Sequence, residues 1–178
     1  MSTGRTRNIR VSSARSAILW DEIEAAGVPE IKGVWCHEAG CTRLINIVAI
    51  KQRYAGHARQ AGIIASQCHS SAYMNRFTII VDEDVDPFQT DAVLWAMATR
   101  CDPARDIVVT DRCWSSKIDP LVDLGKTSFN SRAIIDACRP WEKLDTFPQV
   151  TERTPDLFWA AIRIDPITEV YLPEEELE

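Results

Sequence analysis

Apolar and polar residues recur along the chain with two different periods, which together predict helices alternating with strands. A helical spacing of apolar residues predicts a helix over Ser16–Ala26, and Gly27 is placed to end it. Leu44–Ile50 (LINIVAI) is almost entirely apolar, as is typical of a strand covered on both faces. Small residues then recur at helical intervals from His57 to about Met74, which predicts a helix lying close against the sheet. The apolar residues that give the first helix its spacing are Ala17, Ile18, Trp20, Ile23 and Ala26.

Later segments continue the alternation. Asp86 followed by Pro87 is a favourable helix start, since aspartate caps a helix and proline suits its first turn, and this helix is predicted to run to about Thr99. Four shorter apolar segments are predicted strands: Ile31–Trp35, Phe77–Val81, Asp106–Thr110 and Ser131–Asp136. The order favours the α/β class, with a mixed, mostly parallel sheet flanked by helices.

Composition divides the chain into three parts. Residues 1–15 are polar and basic and are predicted to be a flexible leader; a transit peptide is the less favoured alternative. Residues 16–150 form the predicted α/β domain. Residues 151–178 form an irregular, Pro-rich tail with an acidic end, which could pack on a neighbouring subunit.

Charge and hydrophobicity exclude several classes of protein. The 178 residues carry a net charge of -6, which disfavours a nucleic-acid binder. No apolar run approaches the roughly 20 residues of a membrane helix, and the first residues lack the apolar core of a secretory signal. We therefore expect a cytoplasmic protein whose six cysteines are reduced.

Two motifs contain residue types that bind metals, but the pattern of neither one favours a metal site. Cys36, His37 and Cys41 have only Cys68-His69 as a second ligand pair, and neighbouring residues of a helix point in different directions. The acidic stretch VDEDVDP lacks the glycine and the distal glutamate of a calcium loop. Buried or loop thiols, and carboxylates at a strand end, explain both motifs without metal.

A basic cluster lies where LINIVAI ends and the next helix begins. Lys51 and Arg53 follow the strand directly. Gly56 permits close approach of the backbone to a ligand, and Tyr54 and His57 could stack on or hydrogen-bond to a ring. Ligands of open α/β sheets gather at the carboxyl ends of strands, where helix N-termini also attract anions. From the spacing alone, an anion or cofactor edge and a solvated basic turn are about equally favoured.

Longer blocks of sequence carry a resemblance to a known family. The chain resembles the C-terminal domain of the UbiD-like decarboxylases, which use prenylated FMN on aromatic and α,β-unsaturated acids. The blocks occur in family order over about residues 16 to 150: AILWDEIEAAGVPEIKGVW, IVAIKQRYAGHARQAG, TIIVDEDVDP, AVLWAMATRCDPARDIVV and SRAIIDACRPW.

The resemblance implies an α/β domain that mediates subunit association and closes over the flavin. It implies that Lys51 reaches the cofactor, with Tyr54 and His57 on the same pocket edge. The family's acid/base residues and metal ligands belong to a preceding flavin-binding domain that has no counterpart here. The resemblance therefore supplies no catalytic residue and no metal ligand on this chain.

Two functions follow as hypotheses. In the first, the chain is a small subunit, or an isolated C-terminal domain, of a decarboxylase or carboxylase. A UbiD-like large subunit would hold the metal and most of the flavin phosphate and would supply the acid/base residues. In the second, the chain is an oligomerisation or regulatory domain that binds no flavin. Both imply a homo-oligomer, with an apolar surface expected near the end of Ile45–Ile50 and on Ser16–Ala26.

Overall fold

The computed structural model describes residues 3–122 and 128–148, with side chains from residue 14 onward. The chain divides into two compact units, Met1–Asp145 and Thr146–Glu178. The helices and strands of the described residues all lie in the first unit. The predicted tail at residues 151–178 lies outside the described residues.

Five helices and five strands make up the described part of the chain. The helices are α1 (Thr3–Ala25), α2 (His57–Gln67), α3 (His69–Ala72), α4 (Thr90–Arg100) and α5 (Pro103–Asp106). The strands are β1 (Ile31–Cys36), β2 (Ile45–Ile50), β3 (Phe77–Asp82), β4 (Ile107–Trp114) and β5 (Phe129–Ala137). Two short 3₁₀ turns complete the list, at Glu38–Gly40 and Trp141–Lys143.

One five-stranded sheet has the order β1-β2-β3-β5-β4. Its centre is parallel, because β2 pairs with β3 and β3 pairs with β5 in the same direction. Both edge strands run antiparallel to their neighbours. The prediction of a mixed sheet with a mostly parallel core, flanked by helices, is confirmed.

Apolar residues are buried on both faces of the sheet. On one face, Val48 and Ile80 pack with α1 and α2. On the other face, Ile47, Ile79 and Val81 pack with α4. Alternate residues of β2 thus belong to different cores, which confirms the prediction that this apolar strand is covered on both sides.

Helix α1 is longer than predicted and buries a different stripe. It extends from Thr3 to Ala25, so the predicted end of the leader at residue 15 falls inside it. Leu19 and Ile23 are fully buried, whereas Ile18 is 52% exposed, so the buried stripe of α1 differs from the set of apolar residues that predicted the helix. Gly27 has φ +88°, the left-handed geometry that ends helices, as predicted.

The second predicted helix is divided in the structure. Helix α2 ends at Gln67, and Cys68 adopts an extended backbone (φ -55°, ψ 150°) before the short helix α3. The predicted close approach is confirmed at Gly62, where a Cβ atom would lie 3.3 Å from Ile80 Cγ1 and would clash with Ile134 Cγ2.

The predicted helix start at Asp86-Pro87 is wrong. Asp86 Oδ1 accepts a hydrogen bond from the Phe88 N–H at 2.9 Å, so aspartate caps a tight turn. Pro87 packs over Gly33 on β1. Helix α4 begins at Thr90 and ends at Arg100. Asp86-Pro87 therefore forms a tight turn that precedes the helix and is not part of it.

The predicted position of the exposed apolar surface is also wrong. The end of β2 is buried, and in the described part of α1 the large apolar residue that is mostly exposed is Ile18. Exposed apolar side chains instead surround a groove of about 400 Å³ at the amino end of β3 and β5. They are Phe77, Val109, Leu121 and Phe129. We call this groove the amino-edge groove. Among the described residues, no helix is both long enough and apolar enough to cross a membrane.

Candidate functional site

The carboxyl ends of the three parallel strands lie together at one edge of the sheet. Ile50 at the end of β2 is in register with Asp82 at the end of β3, and Val81 is in register with Ala137 at the end of β5. Ligands gather at such edges in open α/β sheets. We call this side of the molecule the carboxyl edge.

Lys51 is the first residue beyond β2 and lies at this edge, as predicted. Its backbone N–H donates to the Glu30 carbonyl at 2.9 Å, which fixes the start of the loop. Its side chain is 43% exposed and borders an open cleft of about 190 Å³. The amine also forms an ion pair with Glu83 Oε1 at 3.2 Å. Both partners are partly exposed, so a competing anion can reach the amine.

Asp82 ties together the segments that follow all three parallel strands. It is 2% exposed, yet its carboxylate accepts bonds from Gln52 Nε2 at 2.8 Å and from Arg100 Nη1 at 3.0 Å. The backbone N–H and Nε of Arg139 also donate to it, at 2.7 and 3.1 Å. A buried carboxylate needs such partners to remain charged. Asp82 is therefore the organising residue of the carboxyl edge.

Tyr54 and His57 lie together, but the structure separates them from the Lys51 cleft. Their rings stack with centroids 4.5 Å apart, and the Tyr54 hydroxyl donates to Gln60 Oε1 at 2.7 Å. Tyr54 is 37% exposed, whereas His57 is fully buried. Neither residue borders the clefts of the carboxyl edge. Their predicted contact with a cofactor stays a prediction, and the burial of His57 is compatible only with a supporting role in this conformation.

The burial of His57 favours its neutral form. Desolvation lowers the pKa of His57, and the Pro29 carbonyl and the Glu30 carboxylate oppose this only in part. Nδ1 accepts a hydrogen bond from the Arg53 N–H at 3.3 Å, so the proton of the neutral ring is on Nε2. The ring thereby holds the loop between β2 and α2.

Arg53 forms an ion pair with a carboxylate and borders neither cleft of the carboxyl edge. It pairs with Glu30, which also binds Lys32 Nζ at 2.7 Å. The hydrogen bonds from Lys32 and then from Arg53 lower the pKa of Glu30 to about 2. The basic junction therefore has two parts: Arg53 joins β1 to the loop, and Lys51 faces the cleft.

A second cleft, of about 290 Å³, continues along the carboxyl edge. It is bordered by Gly56 and Arg59 of the α2 N-terminus, and it shares Gln52 and Arg139 with the Lys51 cleft. Gly56 has φ +83° with open space around it, so glycine is needed here for backbone geometry.

Two groups at the end of β5, the half-buried Asp136 and the buried Cys138, border this second cleft and have raised pKa values. Burial raises the pKa of Asp136, and the charges of Asp106 and Asp82 add to the shift. Burial likewise raises the pKa of the Cys138 thiol well above its usual value. Both residues border the cleft, but the Cys138 thiol is a poor nucleophile in this state.

Side chains of the two motifs considered as metal sites, the acidic stretch VDEDVDP and the segment around His37, form hydrogen bonds with other protein groups. Arg100 binds Asp84 through both terminal nitrogens, at 2.9 and 2.7 Å, in addition to Asp82. His37 accepts from the Ala39 N–H through Nδ1 and contacts Thr90 Oγ1 at 2.8 Å through Nε2. Within residues 14–122 and 128–148, no three His, Cys, Asp or Glu residues are grouped as metal ligands.

The family model of the 3-octaprenyl-4-hydroxybenzoate carboxy-lyase C-terminal domain matches residues 11–137. The chain belongs to this UbiD family. The resemblance drawn from the sequence blocks is confirmed, and the chain is a UbiD-class decarboxylase C-terminal domain by family and structure.

Solved UbiD-class enzymes have the same fold. HmfF from Pelotomaculum thermopropionicum, in complex with FMN, is 26% identical with a TM-score of 0.69, over 85% of this chain and 33% of that one. The apo 3,4-dihydroxybenzoic acid decarboxylase of Enterobacter cloacae is 26% identical with a TM-score of 0.68, over 83% of this chain and 32% of that one. An evolved dimeric form of HmfF, in complex with prenylated FMN, is 25% identical with a TM-score of 0.60. This match covers 80% of this chain and 28% of that one. The chain thus spans about a third of the structures it matches.

The carboxyl edge fits the periphery of a flavin nucleotide but does not enclose one. Pockets that bury a cofactor-sized ligand usually measure about 300–1,000 Å³, and the cleft beside Lys51 has a volume of about 190 Å³. Its cationic donors are the Lys51 ammonium and the Arg139 guanidinium, which suit phosphate or carboxylate oxygens. This set suits the edge of such a ligand and does not surround it.

Sequence reasoning missed two residues of this edge, Asp82 and Arg139. The sequence pattern marks Asp82 only as one of several carboxylates at a strand end, and it does not distinguish Arg139 from other arginines. A buried strand that ends in aspartate, followed in the chain by well-separated arginines, is a weak signal by itself. Register between distant strands brings the groups together, and the sequence does not specify that register.

Proposed function

We propose that this chain is the small subunit, or the C-terminal domain, of a UbiD-like decarboxylase or carboxylase in the cytoplasm. Its substrate would be an aromatic or α,β-unsaturated carboxylic acid, and prenylated FMN would be the cofactor. The cofactor would be shared with a flavin-binding large subunit that holds the metal and most of the flavin phosphate. That partner would also supply the acid/base residues.

The observation that carries this proposal is the position of Lys51. Its amine lies just beyond the parallel core, partly exposed at an open cleft and held by an exposed carboxylate. Prenylated FMN, when bound, supplies the electronic chemistry that makes loss or gain of carbon dioxide feasible. The chain's own contribution is to bring the Lys51 charge to the rim of the flavin, to exclude water and to orient neighbouring donors.

Tyr54 and His57 have a supporting role in this proposal. The stacked pair fixes the loop between β2 and α2, so that Lys51 and Gln52 keep their positions. Tyr54 is exposed enough to touch a bound partner directly, whereas His57 acts through the loop.

Self-association through this domain is also part of the proposal. The amino-edge groove exposes Val109 by 67% and Leu121 by 74%, which is unusual for large apolar side chains in water. We propose a second copy of the chain as the occupant of this groove. Sedimentation of the full chain should show a dimer or larger assembly that Val109→Glu weakens; a monomer at all concentrations would contradict it.

Affinity purification from the native cell tests the enzymatic role. We expect a flavin-binding UbiD-like chain to co-purify and the complex to show flavin absorbance. Lys51→Gln should weaken flavin retention in that complex. Lys32→Gln is the matched control, since Lys32 is similarly exposed (41%) and also forms an ion pair with a glutamate. Absence of both partner and flavin would contradict the proposal.

A non-catalytic oligomerisation or regulatory domain is the second candidate. The Lys51–Glu83 ion pair favours it, because the amine already has a partner without any cofactor. This candidate predicts that Lys51→Gln changes neither flavin absorbance nor the composition of the purified complex.

A further inference from the structure

Arg139 follows β5, and the fold holds it at the carboxyl edge by three contacts. Its backbone N–H and Nε donate to Asp82 Oδ2 at 2.7 and 3.1 Å, and its carbonyl accepts from Gln52 Nε2 at 2.9 Å. Asp82 is in turn bound by the buried Arg100. The position of Arg139 is thus fixed from both its backbone and its side chain.

The outer part of the Arg139 guanidinium is left available. Within residues 14–122 and 128–148, neither of its Nη nitrogens has a hydrogen-bond partner. The side chain is 26% exposed, so these nitrogens are reached by solvent. A guanidinium held through Nε but unbonded at Nη presents N–H donors in a fixed direction.

Arg139 and Lys51 border the same cleft although they are far apart in the sequence. Arg139 also borders the second cleft, where Arg59 and Gly56 lie. Two cations of different chemistry therefore face one cleft, a mobile ammonium and a fixed guanidinium. The Lys51 ammonium has Glu83 as a partner that an anion must displace, whereas the Arg139 Nη groups have no such competitor.

We propose that Arg139 is a second anion-binding side chain of the carboxyl edge, acting beside Lys51 and oriented by Asp82. The ligand class is an oxyanion, either a phosphate or a carboxylate, which a guanidinium can bind through two parallel N–H···O bonds. This inference rests on the proposed function. Because Asp82 orients Arg139 in advance, little side-chain entropy is lost on binding.

NMR on the full-length, isotope-labelled chain tests this, with FMN, riboflavin and benzoate as the probes. The readout is the Nε–Hε resonance of Arg139 together with the apparent dissociation constant of each probe. We expect FMN or benzoate to shift this resonance. Arg139→Gln and Lys51→Gln should each weaken binding about tenfold, as expected for loss of one charge-assisted hydrogen bond. Arg139→Lys, which keeps the charge but loses the fork, should be intermediate.

Arg43→Gln is the matched control. Arg43 precedes β2 at the opposite edge, where its guanidinium stacks on Tyr73 at 5.7 Å. This variant should bind like the wild type, and far-UV circular dichroism should show all variants folded. A response to FMN without one to riboflavin or benzoate identifies phosphate as the ligand group, and a response to benzoate identifies carboxylate. Both outcomes support the inference.

Two outcomes would overturn it. If Lys51→Gln weakens binding while Arg139→Gln binds like Arg43→Gln, then Arg139 is only a structural partner of Asp82, and the proposed function still stands. If the wild-type chain binds neither FMN nor benzoate at millimolar concentration, the carboxyl edge of this chain has no oxyanion site. The co-purification experiment then decides the proposed function separately.

Discussion

The two ends of the same parallel strands are built differently. At the carboxyl edge the buried arginine is Arg100, which is paired with the carboxylates of Asp82 and Asp84. At the amino edge the buried arginine is Arg132, and no carboxylate among the described residues contacts it. Carboxylate partners raise the pKa of Arg100 despite its burial, whereas burial lowers the pKa of Arg132.

Carbonyl groups replace carboxylates around Arg132. It donates to the Ser66 and Trp114 carbonyls at 2.5 and 2.8 Å, and to the Ala72 carbonyl. Ser66 lies in the last turn of α2, where the helix dipole is negative. Arg132 thereby joins α2, α3 and β4 where the helix is interrupted at Cys68. The buried arginine of the carboxyl edge is thus held by carboxylates, and that of the amino edge by carbonyl groups. At the amino edge the ion pair belongs to another arginine, Arg76, which binds the buried Asp119 beside the apolar groove.

Removing the charge of Asp82 should give the largest loss of stability. Asp82→Asn leaves Arg139 without its carboxylate and Arg100 with Asp84 as its remaining acid, so we expect the free energy of unfolding to fall by about 3 kcal/mol. Urea denaturation measures this. Asp91→Asn, an exposed change in the first turn of α4, is the control and should cost less than about 1 kcal/mol. Equal losses in the two variants would contradict the organising role of Asp82.

Removing Arg132 tests the other edge. Arg132→Met leaves several carbonyls unpaired but no unpaired charge, so the expected loss is about 2 kcal/mol, smaller than for Asp82→Asn. Arg43→Met is the control, because Arg43 is a half-buried arginine that stacks on Tyr73. It should lower the free energy of unfolding by less than Arg132→Met does. Hydrogen exchange should also quicken at the α2–α3 break in Arg132→Met alone. A larger loss than for Asp82→Asn would reverse the comparison.

Acidification should destabilise the protein through His57. Its folded-state pKa lies below the ordinary 6.5, so the unfolded chain binds the proton first. Stability from His57 is complete above pH 6.5 and is lost as the pH falls through the folded-state pKa. We measure the free energy of unfolding by urea denaturation at pH 7.5 and at pH 5. The decrease between these two pH values should be smaller for His57→Asn than for the wild type. His69→Asn, at an exposed histidine, should behave like the wild type.

Breaking the Lys51–Glu83 ion pair should have the smallest effect on stability. Both side chains are about two-fifths exposed, and such pairs contribute about 0.2–1 kcal/mol. Glu83→Gln should therefore leave the urea midpoint almost unchanged. If FMN binds this chain, the same variant should bind it more tightly, because the competing carboxylate is neutralised. A large loss of stability would mean that Lys51 is a structural residue.

Much of the fold was predictable because its signals are local. The apolar run of β2 and the small residues of α2 predicted a covered strand and a closely packed helix, and Gly62 shows how close the packing is. The differences from prediction were also local. Asp86-Pro87 suits a turn as well as a helix start, and Ile18 lies one position from the buried stripe of Leu19 and Ile23.

The sequence alone determined the family, the α/β class and the position of Lys51 beyond a buried strand. Those features depend on residues close together in the chain. Only the tertiary structure decided that Asp82 joins the ends of β2, β3 and β5, that His57 is buried, and that Arg139 shares a cleft with Lys51. The physical reason is that β5 is the last of the described strands in sequence yet pairs with β3. Their register brings together groups that are far apart in the chain.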